Sequence, residues 1–151
     1  MKKNLIIAFM LLVANACGAH NIESKIAGRV RAQCETSKPC MIRISDLTDF
    51  QWDEMYAFRY SASSDQIEQV VGVPLTEKIQ FTRKVVFRWR GKVVHYEELP
   101  TQVDNFVDGQ VDFDIPENSY YKLYPVGSAV FHVDKQEFEN GYYYELRQVS
   151  P

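Results

Sequence analysis

This 151-residue chain has no block of basic residues, and its overall charge is weakly acidic, with 17 lysines and arginines against 20 aspartates and glutamates. Proteins that bind nucleic acid usually present clustered Lys and Arg side chains that neutralise phosphates. We therefore predict no nucleic-acid partner. An acidic surface instead favours a basic protein partner, because opposite charges attract the two surfaces before they touch.

The chain also lacks the short motifs of common catalytic and metal sites, such as H-E-x-x-H, G-x-S-x-G or a glycine-rich phosphate loop. Its densest group of carboxylates comprises Asp46, Asp49, Asp53 and Glu54, without the spacing and glycine of an EF-hand. A two-carboxylate hydrolase needs one acid in apolar surroundings and a second acid nearby, and Asp53 beside Trp52 supplies only the first. The sequence predicts no enzyme activity, no metal site and no cofactor.

A third missing feature is a hydrophobic run long enough to span a membrane. A transmembrane helix needs roughly 20 apolar residues, and the apolar run at residues 5–14 is about half that length. Lys2 and Lys3 precede the run, and small residues follow it. This order of charged, apolar and small residues is typical of a secretory signal peptide.

The end of the predicted signal allows two kinds of cleavage. Ala14-Asn15-Ala16 fits the A-x-A rule, so cleavage after Ala16 would release a soluble protein. The same residues followed by Cys17 resemble the lipobox of bacterial lipoproteins, whose cysteine is acylated after cleavage. The match departs from the usual lipobox at Ala14, where Leu is common, and at Asn15, which is larger than usual.

The cysteine count favours the lipoprotein hypothesis. The chain contains three cysteines, Cys17, Cys34 and Cys40, and an odd number in an exported protein suggests a special role for one of them. Cys34 and Cys40 are close in sequence, and we predict that they form a disulfide in an oxidising compartment. Cys17 is then left as the predicted lipidation site. Gly18 follows it, where an Asp would resemble the signal for retention in the inner membrane.

These observations predict the domain organisation. Residues 1–16 form the signal peptide, residues 17–33 a lipidated N-terminus and tether, and residues 34–151 a single domain. The mature chain carries 15 basic and 20 acidic side chains, a net charge of about −5. We predict a lipid anchor on the periplasmic side of the outer membrane, with a soluble periplasmic or secreted protein as the alternative.

The hydrophobic pattern predicts an α+β fold with a mainly antiparallel sheet built from hairpins and one short helix packed on it. The helix is expected over residues 63–71, with Ser63 or Ser64 as its cap and Gly72 as its stop. Residues 55–60 are apolar on both sides, which is typical of a central strand covered on both faces. Further strands are predicted at 41–45, 111–115 and 129–133, with hairpins around Arg90-Gly91 and Asn140-Gly141.

The chain resembles a group of small bacterial lipoproteins that share the pattern Asp-x-x-Asp-Phe-x-Trp-Asp-x-Met/Val-Tyr-x-Phe. In that group a helix ending near Gly, a hairpin with a Gly-Lys-Val-Val turn and an aromatic strand follow the pattern. The matching residues here are Asp46, Asp49, Phe50, Trp52, Asp53, Met55, Tyr56, Phe58, Gly72, Gly91 to Val94 and Tyr142 to Leu146. The resemblance implies a lipoprotein with an α+β fold, and it implies no reaction.

The sequence therefore predicts a non-enzymatic envelope protein that binds another protein, for example an immunity or inhibitor protein against a periplasm-acting toxin or wall enzyme. The candidate binding residues are Trp52, Asp53, Asp49 and Tyr56, because exposed aromatic side chains supply binding energy and acids attract a basic partner. The alternatives are a hydrolase acting on cell wall or polysaccharide, and a small-ligand carrier with an enclosed cavity.

Overall fold

The computed structural model describes residues 21–34, 39–75, 81–99 and 107–149. These residues form two helices, α1 (Ile22–Gln33) and α2 (Ser64–Val71). They also form eight strands: β1 (Cys40–Arg43), β2 (Glu54–Phe58), β3 (Arg83–Trp89), β4 (Lys92–Leu99), β5 (Val111–Phe113), β6 (Tyr121–Pro125), β7 (Val130–Phe138) and β8 (Gly141–Gln148). The predicted signal peptide and Cys17 lie outside the described residues.

The strands form two four-stranded sheets. Sheet A has the order β1-β7-β8-β5, and sheet B has the order β4-β3-β2-β6. Neighbouring strands are antiparallel except for β5 and β8, which are parallel. The predicted α+β class with a mainly antiparallel arrangement is confirmed. The strands divide into two sheets, however, because β1 and β7 pair with each other and not with β2.

Both predicted hairpins form. Arg90 and Gly91 join β3 to β4, and both have positive φ, 50° and 76°. Two consecutive residues with positive φ match the twist of the flanking strands in a two-residue hairpin loop. The second hairpin joins β7 to β8, with Phe138 opposite Gly141.

The main hydrophobic core lies between the two sheets. Phe131 of β7 packs edge-on against Tyr124 of β6, with ring centroids 5.0 Å apart, so this contact joins sheet A to sheet B. The Tyr124 hydroxyl donates a hydrogen bond to Asp114 at 2.8 Å. The other oxygen of Asp114 accepts from the backbone N–H of Gln148 at 3.0 Å. Asp114 therefore links the end of β8 to β6.

Strand β2 contributes to both faces of sheet B, as its apolar pattern predicts. Met55 and Ala57 belong to the core between the sheets. Tyr56 and Phe58 belong to a second core on the outer face of sheet B. β2 is an interior strand of the sheet, with β3 on one side and β6 on the other.

Helix α2 covers that outer face, as its sequence signals predict. The Ser63 side chain accepts a hydrogen bond from the Gln66 N–H, and the Gln66 side chain accepts one from the Ser63 N–H, so the two residues form a capping box. Gly72 ends the helix with φ 76°, in the left-handed region. Ile67 and Val71 are the buried residues that pack α2 on sheet B.

The prediction of a tether over residues 17–33 is wrong for Ile22–Gln33, which form α1. Asn21 caps this helix, because its side chain accepts from the Ser24 N–H. Ile22, Ile26 and Val30 recur every four residues and are buried in the main core. The domain thus includes α1, and the described residues form two helices where the sequence predicted one. The charged residues and the glycine between the apolar positions obscure this pattern.

Strand β6 (Tyr121–Pro125) was not expected from the sequence. It pairs antiparallel with β2 and completes sheet B. The predicted cysteine pair packs against the main core, where Cys34 ends α1 and Cys40 begins β1. Their Cα atoms are 5.4 Å apart and the two sulfurs are joined. The disulfide therefore ties α1 to the first strand.

Candidate functional site

Trp52, the first of the predicted binding residues, is buried. Only 4 % of its surface is exposed. Its indole Nε1 donates to Thr48 Oγ1 at 2.9 Å, and its ring packs edge-on against Phe87 at 5.2 Å. Trp52 is a core residue, which corrects its assignment to a binding surface.

Tyr56 is also buried, on the outer face of sheet B where α2 packs. Its hydroxyl accepts a hydrogen bond from Arg88 at 3.0 Å and donates one to Glu54 at 3.2 Å. Burial raises the pKa of this phenol above its ordinary value. The hydroxyl is occupied by partners within the chain, so Tyr56 too is corrected from a binding residue to a core residue.

Asp53 holds the β3–β4 turn in place. Its Oδ2 accepts from the backbone N–H of Arg90 at 2.8 Å. Its own N–H donates to the carbonyl of Arg88 at 2.9 Å, and its carbonyl accepts from Val126 at 2.9 Å. These bonds fix the backbone beside Trp52. Among the four predicted binding residues, only Asp49 is exposed, so the structure does not bring the set together on a surface.

The surface that the structure does present is the outer face of sheet A, which we call the open face. Phe131, Val133, Tyr144 and Leu146 point from β7 and β8 into the main core. The residues between them therefore point outward, because side chains alternate along a strand. The open face comprises Met41, Arg43, Asp112, His132, Asp134, Tyr143, Glu145 and Arg147. In the described ranges, α2 packs on sheet B and the buried residues of α1 join the main core, so neither helix covers the open face.

Carboxylates cluster on the part of the open face that β7, β8 and β5 form. Arg147 lies between two of them, with its Nη2 2.6 Å from Asp134 Oδ2 and 3.9 Å from Glu145 Oε2. Tyr143 donates a hydrogen bond to Glu145. Desolvation, and then the negative charges of Glu145 and Asp112, raise the pKa of Tyr143. The carboxylates of Glu145 and Asp112 therefore lie near the Tyr143 hydroxyl on this part of the open face.

A shallow cleft of about 320 Å³ lies along the β5–β8 pair, at the edge of the open face. Three carboxylates line it, those of Asp112, Asp114 and Glu145, together with one cation, Arg147. Asp114 is occupied by Tyr124, Gln148 and Lys122. Asp112 pairs with Arg83 at 3.1 Å and Glu145 lies 3.9 Å from Arg147, and both carboxylates remain more than one-third exposed. The cleft is thus suited to a positively charged group of a partner.

A second group of polar side chains lies at the start of α1. His95 Nε2 is 2.6 Å from Glu97 Oε1, and the other oxygen of Glu97 accepts from the Ile22 N–H at 2.6 Å. The ring of Phe50 lies 4.6 Å from that of His95. These contacts attach the first turn of α1 to β4, so we interpret the group as structural.

The described residues contain neither a candidate metal site nor a candidate membrane-spanning helix. No group of three or more His, Cys, Asp or Glu residues there is placed to hold a metal ion. No helix in that part of the chain has the length and apolar character needed to cross a membrane.

Comparison of the chain with protein-family models, with curated proteins and with solved structures found no match. The resemblance to small bacterial lipoproteins therefore stays a prediction. The function has to be argued from the open face and from the predicted signal peptide.

Proposed function

We propose that this protein is a non-enzymatic envelope lipoprotein that binds a protein partner through the open face. It is anchored by a lipid on Cys17 at the periplasmic side of the outer membrane. The observation that carries the binding proposal is the outer face of sheet A, which neither helix covers, with its carboxylate-lined cleft beside β5.

The chemistry of the open face favours a basic partner. Asp112 and Glu145 are exposed enough to meet a Lys or Arg side chain in the cleft. Charge-assisted hydrogen bonds to carboxylates are stronger than neutral ones, and Arg can make two at once. Tyr143 on β8 and Met41 on β1, which is 61 % exposed, add contact area on the same face. Aromatic side chains and Met are enriched at protein interfaces.

An immunity or inhibitor protein is the form of this function that we favour. A periplasm-acting toxin or wall enzyme that binds an anionic substrate has a basic cleft. Carboxylates presented on a rigid sheet would occupy such a cleft in place of the substrate. Because the partner would arrive in the periplasm, a membrane anchor would keep the inhibitor in the compartment where it is needed.

The two alternative functions have less support. The hydrolase hypothesis relies on Asp53, and this carboxylate accepts a hydrogen bond from a turn amide. The carrier hypothesis requires an enclosed apolar cavity. The clefts along β5–β8 and beside α1, about 320 and 280 Å³, are open to solvent and lined largely by polar residues.

Affinity capture from the native envelope tests the binding proposal. The full chain is used as bait beside two charge-reversal variants, Glu145→Lys and Asp49→Lys. Glu145 lies on the open face, and Asp49 is an equally acidic exposed residue outside it. We expect Glu145→Lys to lose the basic partner and Asp49→Lys to keep it. Loss with Asp49→Lys alone would contradict the open face and favour the site predicted from sequence.

Mass spectrometry of the mature N-terminus tests the anchor. We expect an acylated Cys17 as the first residue, and we expect Cys17→Ser to move the protein from the membrane to the soluble fraction. An unmodified N-terminus that begins at Cys17 would show release by cleavage after Ala16 and would overturn the lipoprotein assignment.

A further inference from the structure

We propose that the outer side of α1, together with Phe81 and Val107, rests on the anionic phospholipid headgroups of the leaflet that holds the Cys17 lipid. The domain then lies against the membrane in one orientation, with the open face turned away. This inference rests on the proposed lipid anchor and adds to it the surface that meets the membrane.

The first observation is the short distance along the chain between the anchor and α1. Asn21 caps α1 and lies four residues after Cys17. A chain spans at most about 3.6 Å per residue, so Cys17 and Asn21 cannot be more than about 14 Å apart. The start of α1 cannot swing away from the domain, because the Ile22 N–H donates to Glu97 of β4 at 2.6 Å. A headgroup layer is about 5–8 Å thick, so this end of the domain is held at the membrane surface.

The second observation is the charge of α1. The helix carries three cations, Lys25, Arg29 and Arg31, and none of them belongs to its buried side. Its one carboxylate, Glu23, is turned inward, where it accepts from Arg83 at 2.9 Å and from the Val111 N–H at 2.8 Å. A mature chain with a net charge of about −5 thus has a basic helix beside its predicted anchor.

One of these cations has a partner on the surface. Arg31 Nη2 lies 2.6 Å from Asp108 Oδ2, with both side chains about half exposed. Exposed ion pairs of this kind are weak, so the guanidinium stays available to a phosphate. Basic residues close to a lipid anchor supply the second signal that stable membrane attachment usually needs.

The third observation is a pair of exposed apolar side chains in two segments that contact the first turn of α1. Phe81 is 68 % exposed, and Val107 is 40 % exposed. Phe81 lies two residues before Arg83, the partner of Glu23 on α1. Val107 lines a cleft with Asn21 and Ser24, at the first turn of α1.

Phe81 is also unusual in its backbone, with φ 59° in the left-handed region. A bulky residue rarely adopts this conformation because the side chain crowds the backbone. The fold therefore presents an aromatic ring to solvent at the cost of backbone strain. Aromatic side chains, Phe among them, are favoured at the boundary between headgroups and hydrocarbon. The short tether would hold the segment of Phe81, which contacts α1 through Arg83, close to this boundary.

This orientation keeps the open face available. α1 contacts both edge strands of sheet A, β1 and β5, and its buried side joins the main core on the inner side of that sheet. The outer side of α1 and the outer face of sheet A therefore point to different sides of the molecule. When α1 lies on the membrane, the open face can meet a partner in the periplasm.

Fluorescence quenching tests the proposal with the full acylated chain in vesicles of phosphatidylethanolamine and phosphatidylglycerol with brominated acyl chains. Bromine quenches tryptophan fluorescence, and the wild type already contains Trp52 and Trp89. On the brominated vesicles, Phe81→Trp should lose a larger fraction of its fluorescence than the wild type does. Met41→Trp on the open face is the matched control, and its added emission should persist. Equal quenching at both positions, or none at Phe81→Trp, would overturn the proposal.

Charge reversal tests the electrostatic part. In the Phe81→Trp background, Lys25→Glu with Arg29→Glu should abolish most of the quenching. Arg43→Glu, an exposed arginine on the open face, should leave the quenching unchanged. Loss of quenching with Arg43→Glu, or retention with the α1 pair, would contradict a role for α1.

A measurement on the wild type makes the test independent of how the variants fold. Acetylation of Lys25 should be slower on vesicles with phosphatidylglycerol than on purely zwitterionic vesicles. Lys92, at the β3–β4 turn, should react at the same rate on both, and equal rates for Lys25 would count against the proposal. Mass spectrometry of the same sample reports the lipid on Cys17. An acylated chain without quenching refutes the docking alone, whereas an unacylated chain refutes the anchor and the docking with it.

Discussion

The two sheets of this protein have four strands each, and they differ in what covers their outer faces. Sheet B has the main core on one face and α2 on the other. Sheet A has the main core on one face and carries charged side chains on the other. Of the two outer faces, that of sheet B therefore buries more apolar side chains. It should also contribute more to the stability of the fold. Within the described part of the chain, neither helix packs on the outer face of sheet A.

The largest difference between the sheets should appear when aromatic residues on their outer faces are truncated. Phe58 lies under α2 and is fully buried, with its ring 5.7 Å from that of Tyr121. Phe58→Ala should lower the free energy of unfolding by about 3–5 kcal/mol, because it leaves a cavity in a packed core. Tyr143→Ala on the open face should cost less than about 1 kcal/mol. Urea denaturation measures both losses. Equal losses would mean that Tyr143 on the open face is packed as tightly as Phe58 is under α2.

The attachment of α2 to sheet B can be weakened from its end. Gly72 and Gly28 both have open space around the position of a Cβ, but only Gly72 has a left-handed φ, 76°. Gly72→Ala should destabilise the protein by about 1 kcal/mol through backbone strain. Gly28→Ala, inside α1, should stabilise it by about 0.5–1 kcal/mol, because Ala favours helix more than Gly. Thermal unfolding of the two variants should therefore shift in opposite directions.

A charged residue distinguishes the two outer faces through the pH dependence of stability. Lys84 on β3 is buried on the outer face of sheet B, where its Nζ donates to the carbonyl and hydroxyl of Thr82 at 3.0 and 2.8 Å. Desolvation lowers the pKa of this ammonium below its ordinary 10.5.

A lysine whose pKa is lower in the folded state binds fewer protons there than in the unfolded chain, at any pH between its two pKa values. Folding is then favoured as the pH rises toward 10.5. As the pH rises through this range, the stability of the wild type should increase relative to that of Lys84→Met. Denaturation at a series of pH values measures this change. A constant difference between the two proteins would mean that Lys84 is solvated like the charged residues of the open face.

The smallest effect is expected for the ion pair on the open face. Arg147 lies 2.6 Å from Asp134, but both side chains are largely exposed. Arg147→Ala should change the free energy of unfolding by less than about 0.5 kcal/mol, because solvent screens such pairs. A loss of more than 1 kcal/mol in urea denaturation would show that the open face contributes to the fold as sheet B does.

Local signals in the sequence predicted much of the fold and little of the site. The predicted binding residues came from a segment dense in aromatic and acidic residues, and density says nothing about exposure. Trp52 and Tyr56 both carry a polar group suited to a surface, and both groups found partners inside the fold, Thr48 and Arg88. The open face was missed because its residues come from four strands that are distant in the sequence.

The sequence by itself determined the elements whose signals lie within a few residues of each other. Ser63 and Gly72 set the two ends of α2, and Arg90-Gly91 set the β3–β4 turn, because capping and turn formation need only local hydrogen bonds and local backbone conformations. The tertiary structure alone decided the packing of Ile22–Gln33 into the domain, the parallel pairing of β5 with β8 and the exposure of sheet A. Each of these depends on contacts between segments far apart in the chain, and such contacts leave no short pattern in the residues that make them.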